Sequence, residues 1–415
     1  MSVSSFIPAA VLLIVFLLIV FRRIGGFRVK IWQAMLLGAV LVLLTGQISF
    51  YDAALSINLD VMLFLFGMFI VGYAMEASGY LHTVSWRMFG RAGSVNHLVL
   101  LVLGVMGIFS AILMNDTIAI IGTPIMITLS KRHDIPPKLM LLTLAFAVTT
   151  GSVLSPIGNP QNLLVATVGQ VPTPFVSFLL YLSLPTLISF VLAYIFLRVF
   201  FRNDFSTPLV NTPNQEPVDE SLARLSKISI TVVLVLIVGK VLLLTIAPWI
   251  EFRLTYIALI AALPIILLSP RRASIVKNID WETLVFFAAM FVLMSAVWAS
   301  GVFQTLLEDL ALDMTGIPTI MFLGLILSQL ISNVPFVALY LPLLVGSGVI
   351  EYLVLAASST IAGNMLILGA ASNIIIIQNA EKQGATLSFL DFAKIGIPLT
   401  LLQLGVYSLF FLLIS

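Results

Sequence analysis

Residues 111–125 read AILMNDTIAIIGTPI, so that Asn115, Asp116 and Thr117 stand together inside an apolar stretch. The whole stretch, 97–130, is too long for one membrane-spanning helix of about 20 residues and too short for two. A polar break at membrane depth is tolerated only where protein covers it or a water-filled cavity lies beside it. These residues therefore predict a re-entrant hairpin whose tip lies at Asn115 and Asp116.

A second stretch, 317–349, has the same design, because Ser332, Asn333 and Pro335 interrupt it near the middle. It predicts a second re-entrant hairpin. The rest of the chain contains apolar runs that are long enough, or nearly long enough, to cross a membrane. These ten runs lie at 6–21, 31–48, 61–79, 139–168, 175–200, 228–249, 254–269, 283–300, 354–378 and 395–414. The expected fold is an all-α polytopic membrane protein with ten spans and two hairpins.

The composition agrees with this fold class and excludes several functions. Of the 415 residues, 60% are hydrophobic and 9% are charged, against about 45–50% and 25% in soluble globular domains. A net charge of +2 leaves no basic field for nucleic acid. Cysteine is absent and the three histidines lack metal-ligand spacing, so we expect no cofactor beyond a coupling ion, a proton or sodium. Neither paired carboxylates nor a Ser–His pair occurs at usable spacing, so we do not expect an enzyme.

The basic residues predict the orientation, because cytoplasmic loops collect Lys and Arg. With the N-terminus outside, all but two of the 20 Lys and Arg residues fall on the inner side. The exceptions are Arg253 in an outer loop and Lys240 within a span. We predict a multi-pass protein of the cell (inner) membrane, surrounded by lipid, with both termini outside. The first hairpin then enters from the cytoplasm and the second from outside.

The two halves of the chain match one another in order, as expected for a duplicated transporter. The matched positions are Ser78-Gly79 with Ser300-Gly301 at an offset of 222 residues, Asn115 with Asn333 at 218, and Gly158 and Asn162 with Gly369 and Asn373 at 211. The slowly falling offset means that only small deletions separate the motifs. The order of the motifs therefore predicts an internal repeat.

This match divides the chain into a first repeat, 1–202, a cytoplasmic linker, 203–227, and a second repeat, 228–415. The linker is rich in Thr-Pro pairs and acidic residues, which is typical of a connecting segment. Each repeat holds five spans and one hairpin. Because an odd number of crossings reverses the direction of the chain, the second repeat is expected to be inverted relative to the first.

Polar residues concentrate at the two hairpin tips and in the span that follows each hairpin. Glycine and proline break a helix there, which frees carbonyl groups for a cation and turns helix N-termini toward an anion. Such breaks would cost several kcal/mol in lipid, so the set predicts a wet, protein-lined binding site. The motifs are Met114-Asn115-Asp116-Thr117, then Ser155-Pro156-Ile157-Gly158-Asn159-Pro160-Gln161-Asn162, then Ser332-Asn333-Val334-Pro335, and finally Gly369-Ala370-Ala371-Ser372-Asn373.

Asp116 is the one carboxylate placed at a hairpin break. A charge at the centre of a membrane costs at least about 2.5–3.5 kcal/mol on insertion scales. The structural alternative is a neutralised carboxyl, and the functional one is a proton or sodium carrier. Its partner in the second half is Val334, so ion coupling is expected to be asymmetric between the halves.

The hairpin motifs resemble those of the arsenite permease family. That family lies in the ion transporter superfamily, with sodium/proton antiporters and divalent anion/sodium symporters. The motifs that carry the resemblance are Asn115-Asp116 followed by Thr123-Pro124-Ile125 in the first hairpin, and Ser332-Asn333-Val334-Pro335-Phe336 in the second. The turn Gly158-Asn159-Pro160-Gln161-Asn162 is similar to the Gly-x-Pro-x-Asn turn in the broken helix of that superfamily.

The resemblance implies substrate contacts at the hairpin tips and ion or substrate sites at the breaks. With the polar residues beside them, the candidate substrate-binding residues are Asn115, Thr117, Asn162, Ser332, Asn333, Ser372 and Asn373. The candidate ion-coupling residues are Asn115, Asp116, Ser155, Gly158, Asn159 and Gly369. The resemblance also implies an elevator-type motion and a homodimer, and it leaves a separate ATPase subunit open.

The leading hypothesis is a secondary active transporter for a small oxyanion or oxyacid, namely proton-coupled export of arsenite or antimonite. Amides, hydroxyls and helix ends without Arg or Lys suit a neutral solute such as As(OH)3. Met114 and Val334 stand where the symporters would have hydroxyl residues, which argues against a dicarboxylate. The alternatives are sodium-coupled uptake of a carboxylate or sulfate, sodium/proton exchange, and an anion channel.

Overall fold

The computed structural model describes residues 6–21, 23–24, 27–90, 92–206, 209, 219–246, 252–309 and 313–414. Within them the regular secondary structure is helical, apart from one two-residue antiparallel pair, β1 (Arg23–Ile24) with β2 (Phe27–Arg28). The helices are α1 (Ile7–Phe21), α2 (Ile31–Leu44), α3 (Phe50–Ser56), α4 (Leu59–Ala77), α5 (Tyr80–Phe89), α6 (Val95–Leu113), α7 (Asn115–His133), α8 (Pro137–Ser152), α9 (Pro160–Val168), α10 (Pro174–Phe200), α11 (Glu220–Ile246), α12 (Leu254–Leu268), α13 (Arg272–Asn278), α14 (Trp281–Ala299), α15 (Val302–Asp309), α16 (Ile317–Ile331), α17 (Asn333–Tyr340), α18 (Val349–Ile361), α19 (Ala371–Lys382) and α20 (Phe389–Ile414).

Six of these helices have the length and apolar composition to cross a membrane, namely α4, α6, α10, α11, α14 and α20. Shorter apolar helices, among them α1, α2, α12, α16 and α18, add to the membrane-compatible part of the chain. The prediction of a helical, multi-pass membrane protein is thereby confirmed.

The first hairpin is longer than predicted. Its two arms, α6 and α7, have 19 residues each, which is about 28 Å of helix apiece. They cover 95–133 instead of 97–130, because the hydroxyl of Ser94 accepts the backbone N–H of His97 and starts α6 before the apolar run begins. The arms are therefore nearly as long as a full membrane crossing.

Helix α11 begins at Glu220, inside the predicted linker 203–227. The connecting segment is therefore shorter at its C-terminal end than predicted. Asp219 caps this helix by accepting the N–H of Leu222 (3.2 Å). The Ser221 hydroxyl also donates to Asp219, and together these hydrogen bonds lower the pKa of its carboxyl. An ion pair with Arg271 (3.1 Å) ties the start of α11 to the turn after α12. Residues 207–208 and 210–218 lie outside the described residues.

The helices pack in two groups. In the first, α4 packs on α12 and α11, while α14 packs on α2 and α1. In the second, both hairpins pack around the broken pairs α8–α9 and α18–α19, with α10 and α20 beside them. The groups meet where α4 touches α7 and α9, and where α14 touches α17. The polar motifs thus lie in one group and face the other across this boundary.

Corresponding positions in the two halves have the same local geometry. Asn58 and Asp280, 222 residues apart, each cap a long helix through a side-chain oxygen. At the other end of those helices, Gly79 and Gly301 take φ angles of 71° and 73°. A left-handed φ is costly for residues with a side chain, which explains why glycine stands at both turns.

Candidate functional site

Each hairpin turns at a single residue in an unusual backbone conformation. Met114 has φ 72° and ψ 143°, and Ser332 has φ 75° and ψ 158°. Neither is glycine, so both positions carry backbone strain that the surrounding packing must hold in place. The next residues, Asn115 and Asn333, begin α7 and α17, so that each tip presents a helix N-terminus.

The arms of the first hairpin lie side by side because both pack on the 16-residue helix α8. Gly107 of α6 and Gly151 of α8 touch backbone to backbone, since a Cβ at Gly151 would lie 2.6 Å from the carbonyl carbon of Gly107. The Ser110 hydroxyl donates to the Val148 carbonyl oxygen at 2.6 Å. On α7, Gly122 packs against the side chain of Leu144. The glycines thus allow the three helices to lie close together.

The tip of this hairpin is tied to the break between α8 and α9. The backbone N–H of Asn115 donates to the Gly158 carbonyl oxygen at 2.8 Å. The side-chain oxygen of Asn115 accepts the N–H of Asp116 at 2.9 Å. The break itself is held by Ser155, whose hydroxyl accepts the N–H of Ile157 (3.2 Å). Asn115, Asp116, Ser155 and Gly158, four of the candidate ion-coupling residues, are therefore brought close together.

The two broken helices are closed by equivalent asparagines. Asn162 Nδ2 donates to the carbonyl oxygens of Ser152 and Ser155, both at 3.0 Å. Asn373 Nδ2 donates to the carbonyl oxygens of Gly363 (2.7 Å) and Leu366 (3.4 Å). The donor and both acceptors of the second break each lie 211 residues after their counterparts in the first break. These bonds also orient both amides, because a carbonyl acceptor must face the amide nitrogen.

A buried hydrogen-bond network centred on Thr360 joins the first break to the second half of the chain. The Thr360 hydroxyl donates to Asn162 Oδ1 at 3.1 Å. Its oxygen accepts from Asn159 Nδ2 at 3.2 Å and from Gln161 Nε2 at 3.3 Å. Asn159 also donates to the Ser152 hydroxyl at 2.9 Å. The first break is therefore a closed set of satisfied polar groups.

Thr360→Val should lower the free energy of unfolding by about 1–3 kcal/mol, because it removes three buried hydrogen bonds and leaves Gln161 Nε2 and Asn162 Oδ1 without a partner. Thr143→Val is the matched control, since the Thr143 hydroxyl donates to the Leu139 carbonyl of its own helix. Thermal unfolding of the purified variants in detergent measures the difference. Equal midpoints for the two variants would show that the network contributes no stability.

The second break differs, because several of its buried oxygen atoms lack a hydrogen-bond partner. They are Thr149 Oγ1, Gln329 Oε1, Asn333 Oδ1, Ser372 Oγ and Asn373 Oδ1. Gly363 lies among them, and a Cβ on it would meet Thr149, Asn333 and Ala370 within 3.5 Å. At Gly369 a Cβ would meet Gln329 Oε1 at 2.6 Å. Buried oxygens without a hydrogen-bond partner cost free energy, which makes this cluster a candidate binding site.

Asp116 is 7% exposed, and of the side chains whose burial the structure describes it is the one buried acidic group. No Lys or Arg is buried in the same set of residues. No hydrogen bond or ion pair joins its carboxylate to another described residue. A buried carboxyl without a charged partner in a membrane-protein chain is a candidate functional group.

Thr117 lies at the boundary between the two helix groups. A Cβ at Gly72 of α4 would meet Thr117 Cγ2 at 2.7 Å, so Thr117 packs on the other helix group. Ser332 forms the turn itself, and its hydroxyl makes no cap bond. The motifs also missed Thr149, Gln329 and Thr360, which lie beside other polar residues in α8, α16 and α18 but outside the predicted motifs.

Comparison with known proteins identifies the family of this chain. The family model described as CitMHS, citrate transporter, matches residues 15–352. The chain belongs to the CitMHS citrate transporter family. Members of this family are transporters, so the protein is a secondary transporter and not an enzyme. The more specific arsenite permease branch, suggested by the hairpin motifs, is not what the matched family model describes.

Relatives of this CitMHS protein cover nearly the whole chain. A 46 kDa membrane protein of Mycobacterium leprae (strain TN) is 25% identical over 427 residues, 97% of this chain and 98% of the other. The silicon efflux transporter LSI3 of Oryza sativa subsp. japonica is 25% identical over 89% of this chain and 90% of its own. The YdaH transporter of Alcanivorax borkumensis has a similar fold, with a TM-score of 0.58 and 14% identity over 100% of this chain and 98% of the other.

Proposed function

We propose that this CitMHS protein exports a small, neutral, hydroxylated oxyacid, of the arsenite or antimonite type, in exchange for protons. The observation that carries the proposal is the set of unpaired, buried oxygens at the second hairpin tip and break, above all Asn333 Oδ1, Asn373 Oδ1 and Ser372 Oγ. An As(OH)3-like solute donates hydrogen bonds through its hydroxyl groups, which is the chemistry that such acceptors need.

The electrostatics of the site favour a neutral solute. No Lys or Arg is buried among the residues whose burial is described, and a multiply charged anion would need such a partner or several free N–H donors. At the first tip one such donor, the N–H of Asn115, is already occupied by Gly158. The relative described as a silicon efflux transporter is consistent with cargo of this class.

Asp116 is the proposed proton carrier. It lies beside the first break, and its carboxylate has no ion-pair partner among the described residues. A carboxyl in such surroundings is neutral when protonated and costly when ionised, so its proton can leave only when water or a ligand reaches it. The second half has Val334 at this position, which makes one proton site per chain the expected number.

The proposal includes the architecture of two inverted repeats and alternating access. The shared offsets of helix caps, turns and asparagine bonds support a duplication. The two helix groups, which meet at Gly72 and Thr117, are candidates for the fixed and the moving body of an elevator. We also propose that both termini lie outside the cell, because of the loop charges. A homodimer is proposed from the family resemblance.

A second candidate function is sodium-coupled uptake of an anion such as a carboxylate. Two observations favour it: the unpaired atoms at the second break are all oxygens, which hard cations prefer, and the matched family model is described as a citrate transporter. Sodium dependence separates the two functions. Citrate transport that requires sodium and does not depend on the pH gradient would support the second function instead of the first. Single-channel currents from the purified protein would indicate a channel.

Asn333→Ala should reduce accumulation of arsenite in everted membrane vesicles to the level of empty membranes, because it removes an acceptor at the hairpin tip. The vesicles carry an inside-acid pH gradient, which drives export. Asn278→Ala, on the exposed side of α13, is the control and should transport like wild type. If folded Asn333→Ala accumulates arsenite normally, the second tip is not the binding site. If the wild-type protein does not accumulate arsenite, arsenite is not its substrate.

A further inference from the structure

A cleft of about 490 Å³ lies away from the hairpin tips, between the first turn of α6 and the last turn of α10. Its lining residues are Asn96, Arg198, Val199, Arg202 and Phe205. The volume is within the range of about 300–1,000 Å³ found for small-molecule sites. The proposed transport mechanism uses none of these residues.

The cleft lies at the C-terminal end of α10, a helix longer than a membrane crossing requires. With 27 residues, α10 is about 40 Å long, against a hydrocarbon core of about 30 Å. One face of the helix exposes large apolar side chains at helical spacing, as expected for contact with lipid tails. These residues are Leu184, Leu187, Val191, Ile195 and Val199. Arg198 is the only charged residue of the helix, and Arg202 follows one turn later, which is the placement expected of basic residues at headgroup level.

The polar groups of the cleft are arranged as donors. The Tyr194 hydroxyl donates to Asn96 Oδ1 at 2.9 Å, which leaves the Asn96 amide nitrogen available as a donor. Arg198 donates to the same hydroxyl at 3.4 Å and holds it in place. The Phe205 ring packs edge-on against Tyr194, with centroids 6.3 Å apart, and closes one wall.

Neither arginine is neutralised by an acidic side chain of the described residues. In the described part of the chain, Arg198 and Arg202 form no ion pair, whereas Lys138, Arg253 and Arg271 each pair with an aspartate. Two guanidinium groups and an amide N–H₂ suit a ligand with several anionic oxygens, such as a phosphate.

We propose that this cleft binds the phosphate of an anionic glycerophospholipid, whose acyl chain lies along the exposed face of α10. A lipid fits better than soluble phosphate because the apolar row on α10 runs into the cleft at Val199. Basic pockets between membrane helices bind lipid headgroups for the same electrostatic reason. The bound lipid bridges the base of the first hairpin, through Asn96, to the end of α10.

The test measures lipid retention and thermal stability of the purified full-length protein. Native mass spectrometry counts phosphatidylglycerol retained after detergent exchange, and thermal unfolding is followed with added phosphatidylglycerol, phosphatidylcholine or inorganic phosphate. Wild type should retain phosphatidylglycerol and be stabilised by it, and not by the other two. Arg198→Gln/Arg202→Gln should weaken binding about 25-fold, as expected for two surface arginines.

The control is Arg224→Gln/Lys227→Gln, which removes two exposed basic residues at the start of α11 that do not line the cleft. It should bind phosphatidylglycerol like wild type. Arg202→Gln alone should weaken phosphatidylglycerol binding about fivefold. It replaces the double variant in the test if the double variant does not fold. Equal retention by the cleft and control variants would overturn the site. Stabilisation of wild type by inorganic phosphate, lost in Arg202→Gln, would overturn the lipid in favour of a soluble anion.

Discussion

Asp116→Asn is expected to abolish accumulation of solute driven by a pH gradient, down to the level of empty vesicles. The amide keeps the size of the side chain but cannot release a proton, so export can no longer be coupled to proton entry. The substrate groups at the second tip are unchanged. Exchange of labelled for unlabelled solute across the membrane, which needs no net proton movement, should therefore survive in this variant.

The measurement compares gradient-driven accumulation with solute exchange in the same proteoliposomes. Asp313→Asn, which removes an exposed carboxyl between α15 and α16, is the control and should leave both activities intact. Loss of accumulation with retained exchange identifies Asp116 as the carrier. Loss of both activities in folded protein would assign it a structural role, and retention of both would remove it from the coupling mechanism.

Gly151→Ala should strongly destabilise the packing of the first hairpin on α8. The new Cβ would lie 2.6 Å from the Gly107 carbonyl carbon, and backbone cannot move aside as a flexible side chain can. Overpacking of this kind costs about 1–3 kcal/mol. Because the shift would also displace the tip from the Gly158 carbonyl, transport should fall together with stability.

Gly104→Ala is the matched control on the facing helix, because a Cβ there meets nothing within 4 Å. It should be neutral or slightly stabilising, since alanine is a better helix former than glycine. Unfolding midpoints in detergent and initial transport rates measure both variants. Identical stability of Gly151→Ala and Gly104→Ala would mean that α6 and α8 are less closely packed than the structure has them.

The positions of the helix breaks could be predicted from the sequence because their signals are local. A polar group in an apolar run, or glycine and proline beside it, acts on the backbone of the same few residues. Thus α6 ends at Leu113 and α16 at Ile331, directly before the predicted tips. The start of α11 at Glu220 was missed, since the cap at Asp219 stands in a segment with linker composition.

The partners of the site residues could not be predicted, because they depend on contacts between distant segments. Thr360 lies outside the predicted motifs, yet it hydrogen-bonds Asn159, Gln161 and Asn162 from the other half of the chain. Thr117 stands inside a motif, yet it packs on Gly72 of the other helix group. Sequence spacing carries no information on such pairs.

The sequence by itself determined that this protein is a helical membrane protein, and it determined where the helices are interrupted. Hydrophobicity and helix-breaking residues act locally, which is why both could be predicted. It also determined that one acidic residue, Asp116, stands at a break. Only the tertiary structure decided that the first break is closed by Thr360 while the second leaves oxygen atoms unpaired. The reason is that hydrogen-bond satisfaction depends on which groups the packing brings within about 3 Å of one another.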